Sequence, residues 1–374
     1  MIIERVETIP IRIPLAKDFG GSVYHVTSRA TVVTRLYLKD GRVAEVYNGD
    51  NRDEGAEVAR LVAEDLAPLV VGADMRDWRR LHQRLWDRVP AAAMAPKLLL
   101  EAIACLDTAV WDALGRLYGV SVARLMGGAH DSLPIISIAG YYEAGKTLDD
   151  LGAEMRTLQA RGMGGAKVKV GGLSAEADAE RVAACREAAG PDFLLAVDAN
   201  RGWGRGEAIR FARLVEHLDI AWFEEPCHWF DDARAMAEVR QATSIPINAG
   251  QSEITPHGIR RLIESGAVDI VNFDASEAGG PTAWAESAAL CRMADIAMSH
   301  HEEPQIALHL LASTPNAICV ECFADPERDP IWPGLLLEPP LVADGRIHVD
   351  LSPKAPSFIR RVLLLHNSLL MGSR

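Results

Sequence analysis

The sequence has few of the features that mark membrane, secreted or nucleic-acid-binding proteins. None of its apolar runs approaches the roughly 20 residues that a membrane-spanning helix needs. The N-terminal stretch MIIERVETIPIRIPL carries Glu4 and Arg5 and alternates apolar with polar residues, which predicts a strand and not a signal peptide. Lys and Arg total 39 against 52 Asp and Glu, a net charge of −13, whereas a nucleic-acid partner favours a basic face. We therefore expect a cytoplasmic protein with no membrane or nucleic-acid partner.

Cysteine is also scarce. The six cysteines are scattered along the chain, which predicts free thiols in a reducing compartment. Cys319 and Cys322 form a CxxC pair, but a zinc site needs a second pair at matching spacing, and the sequence has none. We therefore interpret the spacing of this pair as coincidental and not as a zinc site.

The chain length predicts a large domain joined to a smaller one, because 374 residues are too many for one simple hydrophobic core. The first 120 or so residues predict an α+β unit in which strands precede helices: strands at 2–13, 30–38 and 43–47, and helices at 53–70, 74–89 and 97–118. From Pro134 onward, short apolar runs alternate with helical patterns: 135–139, 166–170, 194–197, 221–223, 245–248, 270–273, 296–298 and 317–320. Eight such βα units predict a parallel sheet closed into a barrel.

Ionisable side chains follow these apolar runs, most clearly between residues 194 and 226. Leu194–Val197 leads directly to Asp198, and the run before Glu224 and Glu225 is equally apolar. A carboxylate at the end of a buried strand has no packing reason to be there, although it can cap the next helix. In a closed βα barrel, catalytic groups sit at the carboxyl ends of the strands. The groups predicted there are Lys167, Lys169, Asp198, Glu224, Gln251, Glu253, Asp274, His300, His301 and Glu321.

These groups predict a metal-assisted proton transfer. The oxygen-bearing side chains of the third to fifth strands suit a hard cation such as Mg²⁺. Zinc is less suitable, because the sequence has no Cys/His cluster beside them. A lysine near a second lysine and a cation should have a lowered pKa, as a general base requires. A histidine beside a carboxylate is held in one tautomer. Such a site suits removal of a proton α to a carboxylate, with the metal stabilising the enediolate.

The same residues resemble the enolase superfamily, specifically its mandelate racemase group. The similarity lies in the Lys-x-Lys motif, in Asp198 after 198 − 169 = 29 residues, and in Glu224 of WFEEP after 224 − 198 = 26 more. His301 follows Asp274 by 27 residues and Glu321 lies 20 beyond it, while 102–116 and 125–128 resemble a motif of the family's capping domain.

The resemblance implies a modified TIM barrel, (β/α)7β, at 129–334. An α+β capping domain would occupy 1–128 and be completed by about 335–374. It also implies one Mg²⁺, with Asp198 and Glu224 among its ligands. Lys169 would be one base with Lys167 beside it, and His301, oriented by Asp274, would be the other base or the acid. Glu321 would hydrogen-bond the enediolate, and Asn200 would point into the same site. His300 would face away from the site.

One position departs from the family pattern. The third ligand is usually an acid that follows a glycine at the end of the fifth strand, but Gln251 occupies that place and Glu253 follows two residues later. A period of two puts both side chains on one face of a strand, so both stay candidates, with the alignment favouring Gln251 slightly.

The expected function is dehydration of an acid sugar to a 2-keto-3-deoxy acid. Racemisation or epimerisation of a 2-hydroxy acid by the same bases is the alternative. We expect a small anionic hydroxy-acid substrate and a homo-oligomer, from dimer to octamer. Specificity should lie in cap segments 14–29 and 47–53, whose candidate substrate contacts are Lys17, Tyr24, His25 and Arg52.

Overall fold

The protein was analysed as a computed structural model that describes residues 1–50, 53–91, 95–332, 334–352 and 358. The candidate contact Arg52 and most of the apolar C-terminal tail lie outside these residues.

The small domain begins with a three-stranded antiparallel sheet. It consists of β1 (Ile3–Gly20), β2 (His25–Leu38) and β3 (Val43–Asn48). The β1–β2 hairpin is longer than predicted, because pairing continues past a register shift between Pro14 and Phe19 as far as Gly20 and His25. Gly20 forms an antiparallel bridge with Tyr142, so the hairpin tip rests on the large domain.

Helices of the small domain pack against this sheet. They are α1 (Gly55–Arg60), which continues through a π-helical segment (Leu61–Leu66) into α2 (Ala67–Val70), then α3 (Trp78–Trp86), α4 (Pro96–Tyr118) and α5 (Val122–Leu125). The α4 helix starts at Pro96, where a missing backbone N–H costs nothing. It ends at Gly119, whose φ of 67° is the left-handed conformation that glycine adopts freely. The predicted helix at 97–118 is therefore confirmed.

The large domain is a closed barrel of parallel strands, and each of the eight predicted strands overlaps an observed one. The strands are β4 (Ser132–Ala139), β5 (Gly165–Lys169), β6 (Leu194–Asp198), β7 (Phe223–Glu224), β8 (Ile247–Ala249), β9 (Ile270–Val271), β10 (Ala297–Met298) and β11 (Val320–Cys322). Neighbours pair in chain order, β11 returns to β4, and a bridge from Met298 to Ala317 joins the last two strands.

Seven helices connect the eight strands, which confirms the (β/α)7β architecture. They are α6 (Leu148–Ala160), α7 (Ala175–Ala189), α8 (Arg205–Val215), α9 (Asp232–Ala242), α10 (Pro256–Glu264), α11 (Gly280–Met293) and α12 (Pro304–Ala312). The described part of the chain holds no helix long and apolar enough to cross a membrane. All six cysteines are buried free thiols, as predicted.

The chain beyond residue 335 contacts both domains. Its strands β12 (Val342–Ala343) and β13 (Arg346–His348) form a hairpin, and β13 pairs antiparallel with the first residues of β4. Phe358 is buried, and its backbone N–H donates to Asp112 of α4 while its carbonyl lies 3.0 Å from a ring nitrogen of His309 on α12.

Candidate active site

A fully buried cluster of opposite charges lies at the carboxyl ends of the second to fourth barrel strands. Lys169, the last residue of β5, donates to Asp198, the last residue of β6, at 2.6 Å. Lys167, two residues earlier on the same face of β5, donates to Glu224 at the end of β7 at 2.7 Å and to Glu321 of β11 at 2.8 Å. The barrel thus brings together five of the residues predicted from the strand tips.

The lowered lysine pKa was predicted for a site that holds a cation, and the charges of the protein alone act in the opposite direction. Burial disfavours the charged ammonium of each, but the adjacent carboxylates outweigh burial and raise the pKa of both. For Lys169 the main opposing charge is Asp198, and for Lys167 it is Glu224. Lys169 does lower the pKa of Lys167, but its effect is smaller than that of the carboxylates. Both lysines are therefore held protonated in this arrangement.

His301 and Asp274 form the predicted pair. Nδ1 of His301 lies 3.0 Å from Oδ2 of Asp274, and Oδ1 of Asp274 accepts from the backbone N–H and hydroxyl of Ser276. Burial lowers the pKa of the His301 imidazole, but Glu302 and Asp274 together raise it to about 10. His301 is thus an acid at neutral pH.

His300 faces away from the site, as predicted. It is fully buried against Trp284, with ring centroids 5.3 Å apart, and its Nε2 accepts from the backbone N–H of Ala275. This acceptance leaves Nδ1 as the protonated nitrogen, which donates to the carbonyl of His301 at 2.8 Å.

The structure separates the two candidates for a third metal ligand. Strand β8 ends at Ala249, and Gly250, with a φ of 148°, starts a turn, so the period of two that placed both side chains on one face no longer applies. Glu253 points to Arg261, with an N–O distance of 2.6 Å, and does not line the pocket between the barrel and the cap. Gln251 lines that pocket. Its Nε2 donates to Glu225 at 3.0 Å, and its Oε1 accepts from Nδ2 of Asn272 at 3.4 Å.

The donor set at these strand ends fits Mg²⁺. Asp198, Glu224 and Gln251 offer the carboxylate and amide oxygens that this ion prefers. Within the described residues no three Asp, Glu, His or Cys side chains form a metal-binding group, and the amide of Gln251 is the third oxygen ligand proposed here. Oδ1 of Asn200 and Oε1 of Glu321 are both buried without a hydrogen-bond partner, and such atoms have unused capacity to bind a ligand.

A pocket of about 620 Å³ opens above these residues, between the barrel and the cap. Of the predicted residues, Tyr24, Asn200, Gln251 and His301 line it. Several lining residues were missed by sequence reasoning: Phe19, Tyr141, Phe323, Lys97, Glu101, Ser252 and Glu277. Glu277 follows Asp274 by only three residues, so the strand-tip rule that found Asp274 could also have found it.

Two predicted substrate contacts lie elsewhere. Lys17 is exposed, forms an ion pair with Glu143 and lines a separate groove of about 440 Å³. His25 is exposed and packs against Gly20, because neighbouring residues of an extended chain face opposite sides and Tyr24 takes the pocket side. The described structure therefore does not bring either residue to the pocket between the barrel and the cap.

A buried network supports the end of β5 from behind. Arg181 of α7 donates to the carbonyl of Lys169 at 2.8 Å and to Asp178 at 2.6 Å. Asp178 also accepts from the Tyr142 hydroxyl, and that hydroxyl accepts from the backbone N–H of Gly172 at 2.9 Å. Because Tyr142 pairs with Gly20, the network links the Lys169 strand to the tip of the cap hairpin.

Comparison with known proteins identifies both domains. Residues 6–127 match the family described as "Mandelate racemase / muconate lactonizing enzyme, N-terminal domain". Residues 150–356 match "Enolase C-terminal domain-like".

Relatives of this chain include characterised enzymes and solved structures. A 3,6-anhydro-alpha-L-galactonate cycloisomerase from Streptomyces coelicolor is 30% identical over 86% of this chain and 88% of its own. The L-talarate/galactarate dehydratase of Salmonella typhimurium is 28% identical over 84% of this chain and 79% of its own. A mandelate racemase/muconate lactonizing enzyme from a marine actinobacterium, crystallised with magnesium, is 40% identical with a TM-score of 0.88, covering 96% of this chain and 95% of that one.

Proposed function

Because the chain belongs to the mandelate racemase group of the enolase superfamily, we propose that it is a Mg²⁺-dependent lyase that dehydrates an acid sugar. The product would be a 2-keto-3-deoxy acid. One observation carries the proposal: a lysine and an aspartate-paired histidine stand on separate strands, on either side of two strand-tip carboxylates. This arrangement would supply a base, an acid and a place for a cation.

Asp198, Glu224 and Gln251 would hold the ion, with Asn200 beside them. Bound Mg²⁺ would neutralise these carboxylates and stabilise the negative charge that develops on the substrate carboxylate. Glu225 accepts from both Gln251 and Ser252, so it would fix the orientation of the Gln251 amide.

Lys169 would take the α-proton once the charge of Asp198 no longer holds its own proton. His301, which Glu302 and Asp274 keep protonated, would give a proton to the departing 3-hydroxyl, so that water leaves. Glu321 would bind the enediolate through Oε1, while Lys167 holds its other oxygen at 2.8 Å. The enol then becomes the 2-keto group by gaining a proton at C3.

Racemisation or epimerisation is the second candidate, because Lys169 and His301 stand on different sides of the same site. Two bases can remove a proton from one face of the α-carbon and return a proton to the opposite face, which inverts that carbon. A site with one base could not do this. The homo-oligomer and the cytoplasmic location stay predictions.

The experiment that tests the proposal is a screen of acid sugars with Mg²⁺ in D₂O. Formation of a 2-keto product indicates dehydration, and loss of optical rotation without that product indicates racemisation. We expect Lys169→Ala and His301→Asn each to lower turnover by at least 100-fold, in the range seen for loss of one acid or base. His217→Asn, at an exposed position, is the control. Wild-type turnover by both active-site variants would contradict the proposal.

A further inference from the structure

The cap side of the pocket is strongly acidic. Besides the strand-tip groups, the charged lining among the described residues consists of six carboxylates and two cations: Asp50, Asp53, Glu54, Glu101, Glu277, Glu302, Arg29 and Lys97. With all of them ionised, this wall carries 2 − 6 = −4 charges.

Both cations in the wall are already held between carboxylates. Arg29 is buried and forms ion pairs with Asp50 at 2.8 Å and Glu302 at 3.0 Å. Lys97, at the start of α4, lies 3.0 Å from Glu101 and 3.1 Å from Glu277. A cation paired twice has little attraction left for a third carboxylate.

The sequence of the segment that contains Arg52, a residue outside the described ones, is acidic overall. The segment 50–54 reads Asp-Asn-Arg-Asp-Glu, so with Arg52 counted it still carries 1 − 3 = −2 charges. Asp53 does have a partner outside the pocket, Arg12 at 2.8 Å, but that pair is largely exposed and therefore weak.

The strand tips differ from this wall because Asp198, Glu224 and Gln251 would hold the proposed Mg²⁺ there, and that cation would attract the substrate carboxylate. Lys167 and Lys169 lie at the same strand ends, each paired with a carboxylate, and the unpartnered oxygens of Asn200 and Glu321 have capacity there for a cation or a hydrogen-bond donor. A substrate carboxylate placed there leaves the rest of the molecule facing the acidic wall. Carboxylates accept hydrogen bonds from hydroxyl groups and repel a second carboxylate.

We propose that the substrate is a monocarboxylic acid with a hydroxylated far end, and that Glu101 and Glu277, by holding Lys97, select against dicarboxylic acids. The inference rests on the proposed function and narrows its substrate class. It separates this chain from its relative that acts on talarate and galactarate, which are both diacids.

The test compares monoacids and diacids that share their stereocentres, such as galactonate with galactarate and gluconate with glucarate. Product formation and solvent deuterium uptake are followed with the Mg²⁺-loaded enzyme. For the pair that the enzyme uses best, we expect kcat/KM of the monoacid to exceed that of the diacid by on the order of 100-fold. Equal or better use of the diacid would overturn the inference.

Variants of the wall test the assigned residues. Glu277→Gln, alone or combined with Glu101→Gln, removes negative charge beside Lys97. We expect it to lower the ratio of kcat/KM for the monoacid over the diacid at least tenfold. Adding Lys97→Met should restore the wild-type ratio. Glu264→Gln, at an exposed position on α10, is the matched control and should leave the ratio unchanged. An unchanged ratio in Glu277→Gln and in the double variant would overturn the role of the wall.

The two proposals fail in different ways. Deuterium uptake into diacids but not monoacids would refute the inference and leave the proposed function standing. Absence of uptake and of product with every acid in the panel would refute the proposed function itself.

Discussion

The imidazole of His301 lies between two carboxylates, with Nδ1 3.0 Å from Oδ2 of Asp274 and Nε2 3.5 Å from Oε1 of Glu302. Asp274 belongs to the segment after β9, whereas Glu302 directly follows His301 in the chain and has a φ of 45°. Both charges favour the imidazolium, so they oppose the effect of burial.

Glu302→Gln should shift the pH dependence of activity. Removing a negative charge beside His301 makes the imidazolium less favourable, so its pKa falls from about 10, by roughly one unit. If His301 acts as the acid, activity is lost as pH rises through its pKa, and the alkaline limb of kcat/KM moves to lower pH. Asp50→Asn is the control, because Asp50 pairs with Arg29 as Glu302 does but makes no contact with His301. A limb that stays in place would argue against His301 as the titrating acid.

Gln251→Ala should weaken Mg²⁺ binding at least tenfold, because it removes the amide oxygen that completes the proposed ligand set. Titration calorimetry on the metal-free protein measures this without a substrate. Glu253→Gln should bind the ion as the wild type does, since its carboxylate is directed to Arg261. The reverse result, with Glu253→Gln weakened and Gln251→Ala unaffected, would make Glu253 the ligand.

Tyr142→Phe should lower the free energy of unfolding by about 1–2 kcal/mol, because Asp178 loses a buried hydrogen-bond donor. The backbone bridge between Tyr142 and Gly20 does not involve the hydroxyl and should persist. Urea unfolding measures the change. Tyr118→Phe, at a position 57% exposed, is the control and should have little effect. A similar loss of unfolding free energy in both variants would contradict a specific contribution of the Tyr142–Asp178 hydrogen bond.

Gly280→Ala should destabilise the joint between the cap and the barrel by about 2–4 kcal/mol. Its φ is 86°, and an added Cβ would lie 2.6 Å from Cβ of Asp107, a residue of α4 that accepts from the backbone N–H and hydroxyl of Thr282. Gly72→Ala isolates the backbone strain, since Gly72 has nearly the same φ, 85°, with nothing within 4 Å of the added atom. Thermal unfolding of both variants should show a clearly smaller loss for Gly72→Ala.

The barrel and its strand-tip groups were predictable from the sequence for a physical reason. Charged residues directly after buried apolar runs, such as Asp198 and Glu224, lack a packing role. The parallel topology then brings strand ends together whatever their distance along the chain. Local pattern was enough to place these groups.

The cap side of the pocket could not be predicted in the same way. Its position depends on contacts between distant segments, such as Gly20 with Tyr142 and Asp107 with Thr282, which leave no periodic signal in the sequence. Local pattern also failed at Glu253, because the turn at Gly250 breaks the alternation of a strand. Lys17 lies in the register shift between Pro14 and Phe19, another irregularity that strand alternation does not predict.

The pairing of β11 with β4 has a consequence for synthesis on the ribosome. Val320 pairs with Ile135, so 320 − 135 = 185 residues separate the two edges that close the barrel. At a translation rate of roughly 5–20 residues per second, the nascent chain carries an open β4 edge for about ten seconds or longer. An unpaired edge is a template for association with other chains. Newly made chains therefore pass through an aggregation-sensitive interval that the finished protein no longer shows.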